Sequence, residues 1–499
     1  DLWNARFPPR PGLPWEDDGE PVDWRAFATR DLPRFARSAM RDAQRELAGG
    51  SADVRRRLGV LARLALVVSR GLVLDVLPGG SEGFERIDHL DLRAWLRRHG
   101  ATADEVNDAP LIRGLYNLAF AYPDGVPGYG GGQVAAGAGL KSLLLIAATY
   151  RGAPFWRMRA GMGDTIFAPL YDVLCARGVT FRFFHRTTQL RLARGDDRIA
   201  AIDLGVQART RGDYDPLVRV RGQPCWPNAP RWDQLDDGAE LRARGVDFES
   251  NLRPHVERRI TLERGRDFDE VVLAIPAPVH RLIAEDLVAR SDRYRLMLEH
   301  THSVAIAAMQ LWLRPTLREL GWNGETPLVT GAPGVFSSWA DMTETADSED
   351  WPQRPGTIAY FCDAYPEAAL ARDRERRLDR LRDEAAAWAD RHLVDLWPGA
   401  RTRDGQFDRD LLVVPPGPDA KRDPWAEQYF RLNTDPSERY ILSLPGTTQY
   451  RLAPDANVFP NLVFAGDWTR TRMNGGSVEA AVESGQVAAD ALRRRYDVD

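Results

Sequence analysis

The sequence predicts an α/β fold with a large helical part, and three observations carry that expectation. Helical spacing dominates roughly the first 150 residues, β-type alternation begins only near residue 178, and the chain closes on a strand, a glycine-rich loop and a long helix. A chain of 499 residues has room for more than one core, and 43% hydrophobic residues with 15 Trp supply the material. A formal charge of −5 gives no global basic field, which argues against nucleic acid as the partner and leaves small-molecule chemistry.

The helical part reads from Val60, Leu61, Leu64, Val67 and Val68 and from Leu92, Trp95 and Leu96, spaced by three and four. Pro78-Gly79-Gly80 and His99-Gly100 interrupt it, and a Gly/Pro loop over 122–132 precedes an apolar helix near 134–150. A helix over 164–177 leads to alternating Val179, Phe181 and Phe183, then to a strand over 199–204 after the turn at 194–197. Residues 206–262 are polar and turn-rich, and Val271 to Ile275 form an apolar strand closed by Pro276. A long amphipathic helix is expected over 366–396, with Pro398-Gly399 ending it.

Some chemistry is excluded. Cys175, Cys225 and Cys362 are odd in number and far apart, so neither a disulfide framework nor a zinc site is expected, and a reducing cytoplasm is the simplest setting. The eight His show no metal-ligand spacing, His300-x-His302 being read as part of a strand, so no metal site is expected. No order of nucleophile, base and acid supports a hydrolase. The longest apolar run, 143–148, falls far short of a membrane span. Contact with a membrane surface through the helices near 59–77 and 134–150 is a lesser expectation.

The last forty residues carry the strongest signal. Leu462 to Ala465 form a buried strand that runs into Gly466-Asp467, and Gly475-Gly476 stand before a helix over 477–495. That helix is expected to hold Val478, Ala481, Val482, Gly485, Ala488, Ala489 and Leu492 on one face, close against a sheet. A helix N-terminus offers N–H groups without intrahelical partners and the positive end of a dipole, which makes it an anion site. Phosphate would suit it, and so would the electron-rich pyrimidine edge of a reduced flavin, with Asp467 accepting from a ribose or ribityl hydroxyl.

The segment NLVFAGDWTRTRMNGGSVEAAVESGQVAADAL resembles the C-terminal flavin-binding signature of the superfamily containing flavin amine oxidases, phytoene desaturases, protoporphyrinogen oxidase and hydroxysqualene dehydroxylase. Its AGDWT form is more similar to the desaturase and dehydroxylase branch. Two further stretches resemble the same superfamily in order: 160–163 with the helix and strand that follow, and DEVVLAIPAPVHRLI at 269–283. DLRAWLRRHG at 91–100 resembles a helix of the desaturase branch.

The resemblance implies an FAD-dependent oxidoreductase in which a Rossmann-like FAD-binding domain over 151–205, 260–285 and 440–499 alternates with a largely helical substrate domain over 1–150, 206–259 and 286–439. It implies that backbone at Gly466, Asp467, Gly475, Gly476, Ser477 and Val478 faces the flavin and that Thr187 lies against adenine. Trp468 and Asn474 flank the expected ring position, and no dedicated catalytic residue is assigned. The expected reaction is dehydrogenation of an apolar or amphipathic molecule, polyene- or terpenoid-like, by hydride transfer to flavin N5.

Many amine oxidases of the superfamily place a lysine near N5, and the only lysines here, Lys141 and Lys421, fall in no matching stretch, so amine oxidation is the alternative. The superfamily also opens on a strand and GxGxxG, which the N-terminal residues here do not supply; Gly130-x-Gly132-x-x-Ala135 lacks a feeding strand. Three explanations stand open: the sequence lacks an N-terminal segment of the protein, the protein is cleaved with both pieces retained, or a partner chain supplies the nucleotide fold, so that a separate or cleaved N-terminal polypeptide would complete the FAD site. The rival of another class is a non-catalytic scaffold.

Overall fold

The computed structural model describes residues 22–45, 52–107, 109–128, 130–149, 157–324, 328–330, 334–370, 376–414 and 423–496. Residues 1–21 and Lys421 lie outside this set. The longer helices are α1 (Leu32–Arg45), α2 (Ala52–Gly71), α3 (Leu92–Arg98), α4 (Pro110–Leu118), α5 (Ala136–Thr149), α6 (Ala168–Ala176), α7 (Ala277–Ile283), α8 (Asp292–His300), α9 (Arg377–Trp388) and α10 (Val478–Arg495). The strands are β1 (His185–Leu192), β2 (Ile199–Val206), β3 (Val218–Val220), β4 (Gln223–Cys225), β5 (Arg258–Glu263), β6 (Val271–Leu273), β7 (His302–Val304), β8 (Ile306–Leu313), β9 (Leu328–Val329), β10 (Ser338–Asp341), β11 (Thr357–Ala364), β12 (Tyr429–Leu432), β13 (Tyr440–Leu442) and β14 (Leu462–Phe464).

Three cores organise these elements. The first joins the N-terminal helices through Leu64, Leu72, Leu92, Trp95 and Leu140, and takes in Leu442 and Leu444 from the C-terminal third. Asp91 fixes α3 in it, accepting from Arg93 N–H at 2.9 Å as the N-cap and from the Tyr116 hydroxyl at 2.9 Å.

The second core lies on one face of a five-stranded sheet, ordered β12-β8-β11-β10-β9, whose pairings are antiparallel. Alternation along β8 and β11 puts Met309, Leu311 and Phe361 against Leu381, Trp388, Leu393 and Trp397. This sheet occupies much of 286–439, a region the sequence marked mainly by its helices. The signal was obscured because β11 is buried at six of its eight residues, which removes the polar half of the alternation. Among the described residues, the helix expected over 366–396 comprises Glu367–Leu370, α9, a π-helical turn Ala389–Leu393 and the short Val394–Leu396, and residues 371–375 lie outside the described set.

The third core surrounds the parallel pair β6–β14, registered Leu462 with Val271 and Phe464 with Leu273, and includes Tyr294, Met297 and Phe459. The antiparallel sheet β1-β2-β5 stands beside it and contributes Leu190 and Ile199. Asn461 links the two: its side chain accepts from Ile199 N–H at 2.8 Å and donates to the Ile199 carbonyl at 3.0 Å.

Three expectations are corrected. Val179, Phe181 and Phe183 form no strand; the segment is irregular, turns at Phe183–Phe184 and lies mostly exposed before β1. His300 ends α8 and His302 begins β7, so the two do not share a strand. On α10 the buried stripe is Ala480, Ser484, Ala488 and Ala491, whereas Val478, Ala481, Val482 and Ala489 face outward. The stripe is rotated because Ser484 bonds the end of β14, fixing the helix by a polar contact that its hydrophobic periodicity does not reveal.

Candidate functional site: a cleft at the C-terminal strand and helix

The end of β14 and the start of α10 form one side of a cavity of about 400 Å³. Gly466 leaves the strand at φ +148°, and a Cβ there would lie 2.3 Å from Trp468 Nε1, so the turn requires glycine. Ser484 of α10 holds this turn, its Oγ accepting from Gly466 N–H at 3.0 Å and from the Thr469 hydroxyl at 2.8 Å. Ser477 caps the helix, its hydroxyl accepting from Ala480 N–H at 3.2 Å.

Gly466, Asp467 and Trp468 line the cavity from the strand side, and Gly476, Ser477 and Val478 from the helix side. Ala274 and Pro276, just past β6, and Tyr440 of β13 complete the walls together with Ala481. Six residues singled out in the sequence therefore converge. Gly475 does not line the cavity, and Thr187 sits within β1 opposite Leu204, away from these walls.

Asn474 has a different place. It is buried at φ +49°, its side-chain oxygen accepts from Thr471 N–H at 3.0 Å, and its carbonyl accepts from the Ser443 hydroxyl. It shapes the loop in front of the helix and does not line the cleft.

Arg451, which the sequence did not single out, ties both sides together. Its Nη1 donates to the Asp467 carbonyl at 2.9 Å and its Nη2 to Ser443 Oγ at 3.0 Å. Burial lowers its guanidinium to about 10, against the opposing charge of Asp467. Burial raises the Asp467 carboxyl above its usual value, and Arg451 works in the other direction. The Tyr440 hydroxyl donates to the Gly476 carbonyl at 2.6 Å, and burial raises its pKa. Neither residue belongs to a short motif; each is recognisable only once β13 and the following loop fold back on the helix start.

Trp468 is buried and meets His280 edge-on at 4.8 Å and Phe464 at 5.6 Å. Its indole Nε1 is buried beside the cavity and has no acceptor among the described residues. The cleft thus combines a helix N-terminus, an indole donor awaiting an acceptor, and a desolvated carboxyl just past a strand end. That donor set suits a ligand with carbonyl or ring-nitrogen acceptors and hydroxyl groups, as a flavin and its ribityl chain provide.

A strand, a tight Gly-Asp turn and a helix N-terminus thus enclose one cleft of an α/β protein. Residues 242–493, just over half of the chain, match the family model described as flavin containing amine oxidoreductase, and the chain belongs to that family. It is an FAD-dependent oxidoreductase. Among solved structures it is similar to a putrescine oxidase redesigned in its cofactor binding, at 11% identity and TM-score 0.47 over 87% of this chain and 76% of that one. It is similar also to an oxidoreductase from Methanosarcina mazei, at 12% identity and TM-score 0.46 over 85% and 72%. A third likeness is to cyclohexylamine oxidase from Brevibacterium oxydans IH-35A, at 12% identity and TM-score 0.42 over 88% and 75%. No curated protein matches the chain. Among the described residues no helix is long and apolar enough to cross a membrane.

Proposed function

We propose that the enzyme dehydrogenates an apolar or amphipathic small molecule, polyene- or terpenoid-like, and that the cleft at the start of α10 receives the flavin. The observation that carries this reading is the lining of the cleft, where Ala274, Pro276, Trp468, Val478 and Ala481 are apolar and, among the described residues, no lysine takes part. Bound FAD supplies the hydride acceptor. The chain's own part is then binding and orientation: N–H groups at Gly476, Ser477 and Val478 for flavin acceptors, Asp467 for a ribityl hydroxyl, and Trp468 as both wall and donor.

Lys141 lies elsewhere, its Nζ 3.4 Å from Glu85 Oε1 and 5.6 Å from the Phe84 ring centre. Amine oxidation remains the second reading, favoured by the family description and by the names of the oxidases similar in structure. Anaerobic addition of a micellar polyene, putrescine or cyclohexylamine to the flavoprotein, read as loss of the visible flavin absorption, decides between them. Bleaching by the polyene alone supports the first reading; bleaching by either amine alone replaces it with the second.

We also infer that a separate or cleaved N-terminal polypeptide completes the FAD site. Exposed apolar side chains support this. Phe167, just before α6, and Leu170, Val173 and Leu174 on it hold apolar side chains in solvent, while Tyr171 of α6 packs on Phe181, Phe183 and Trp226. An all-round apolar helix is normally buried. The outward stripe of α10 and Val272 of β6 are likewise exposed, although parallel sheets are normally covered on both faces. Intact masses of every polypeptide copurifying with flavin test this; flavin bound by this chain alone would overturn it.

A further inference from the structure

A second cavity, of about 410 Å³, lies between the five-stranded sheet and the helical segment after β11, in the second core and separate from the flavin cleft. Phe336, Trp339, Phe361 and Trp388 wall it. Their rings are mutually inclined, Phe336 to Trp388 at 64° and Phe361 to Trp388 at 65°, while Trp339 stacks on Phe361 at 14°, so aromatic surface is presented from more than one direction. Among the described residues no lysine or arginine lines the space. His392 stands at one side with its pKa lowered by burial, and Asp395 beside it is engaged by Arg401 at 3.0 Å.

The other side carries a buried acid. Ser337 lines the cavity and donates its hydroxyl to Asp363 Oδ2. Asn117 of α4 donates to Ser337 Oγ at 3.0 Å, and the Tyr122 hydroxyl donates to Asn117 Oδ1. Asp363 is fully buried, and among the described residues no cation pairs with it. Burying a carboxylate without a partner is costly, and here burial pushes its pKa up to about 7. The titratable groups that face it, Tyr122 and Cys362, are each raised to about 12 and stay neutral, so neither offsets its charge.

From the aromatic walls and the unpaired carboxyl one hydroxyl behind them, we infer that this cavity binds a small organic cation, an alkylammonium or quaternary ammonium. Ring faces attract such a cation, and the buried carboxylate supplies the missing counter-charge. The site is independent of the flavin cleft, and nothing in it requires the cation to be the substrate that is oxidised.

The test is a calorimetric titration of the flavin-loaded protein with choline and with its uncharged isostere 3,3-dimethylbutan-1-ol. Choline is expected to bind about tenfold tighter. Trp388→Leu should weaken choline by about fivefold while the visible flavin spectrum is unchanged. Asp363→Asn should remove the gain in choline affinity that accompanies a rise from pH 6 to pH 8, because only the aspartate gains charge over that range. Equal binding of the two probes, or binding of neither, overturns the inference. So does loss of choline binding in Ala481→Trp, which obstructs the flavin cleft and leaves this cavity untouched. If Trp388→Leu fails to fold, the comparison of the two probes on the unaltered protein still decides.

Discussion

The region around the five-stranded sheet and the region around the flavin cleft contain similar kinds of side chain and treat them in opposite ways. In the sheet region Leu381, Phe361, Leu393 and Trp397 are fully buried. By contrast α10, beside the cleft, and α6 with the residue before it leave Val482, Leu170 and Phe167 more than half exposed, although both helices are rich in apolar residues. The sheet region is closed within the chain. The cleft region is backed by the third core but keeps apolar side chains of α10 in solvent, and glycine turns and buried polar ties shape the cleft itself.

The largest expected effect tests the turns. A Cβ at Gly476 would lie 2.7 Å from the Tyr440 ring, so Gly476→Val must displace a side chain that also anchors the Gly476 carbonyl. Loss of nearly all visible flavin absorption is expected, and full flavin content would remove the cleft from consideration as the cofactor site.

Next in size, Leu381→Ala should cost about 2–5 kcal/mol in urea unfolding, as a cavity in a closed core does. A value below about 1 kcal/mol would mean the sheet region is as loosely packed as the cleft region.

The two regions should also respond oppositely to pH. His280, beside Trp468, donates Nε2–H to the Ile275 carbonyl at 2.8 Å and accepts from the Tyr294 hydroxyl at 2.9 Å. Burial lowers its pKa to about 4, below the 6.5 of an unfolded histidine. The unfolded chain therefore binds more protons below pH 6.5, and stability falls by up to about 1.4 kcal/mol per pH unit between 6.5 and about 4. Asp363 has a raised pKa, so the folded chain binds more protons; its penalty is absent below 3.8, grows as pH rises and is complete above about 7. Unfolding at pH 5 and pH 8 separates the two. His280→Gln should flatten the acid side and Asp363→Asn the neutral side; the same profile in both variants would disprove the assignment.

The smallest effect marks the open face. Val482→Ala, at a position 54% exposed, should change the stability of this chain by no more than about 0.5 kcal/mol. A loss near that of Leu381→Ala would show that the face is covered in solution.

Much of the cleft was legible because its parts lie close in sequence. Gly466, Asp467, Gly476, Ser477 and Val478 occupy one strand-turn-helix, and local spacing together with helix-terminus electrostatics suffices to point to them. Tyr440, Arg451, Ala274 and Pro276 come from other segments, so nothing short of the folded chain could place them. Asn474 looked like part of the ring site because it adjoins the glycines; its left-handed backbone and its bond to Thr471 make it a loop-former.

What the sequence determined by itself was the mixed α/β class, the closing strand and helix, and the chemistry of the glycine-rich turn, all products of short-range spacing. Only the tertiary structure decided which stripe of α10 is buried, that 286–439 holds a five-stranded sheet, and that Asp363 is buried behind Ser337 of the aromatic cavity with no cation beside it among the described residues. The physical reason is the same in each case. Helix rotation, strand pairing and the burial of a charge are set by contacts between residues far apart in the chain, and periodicity along the chain carries no record of which partner each face will meet.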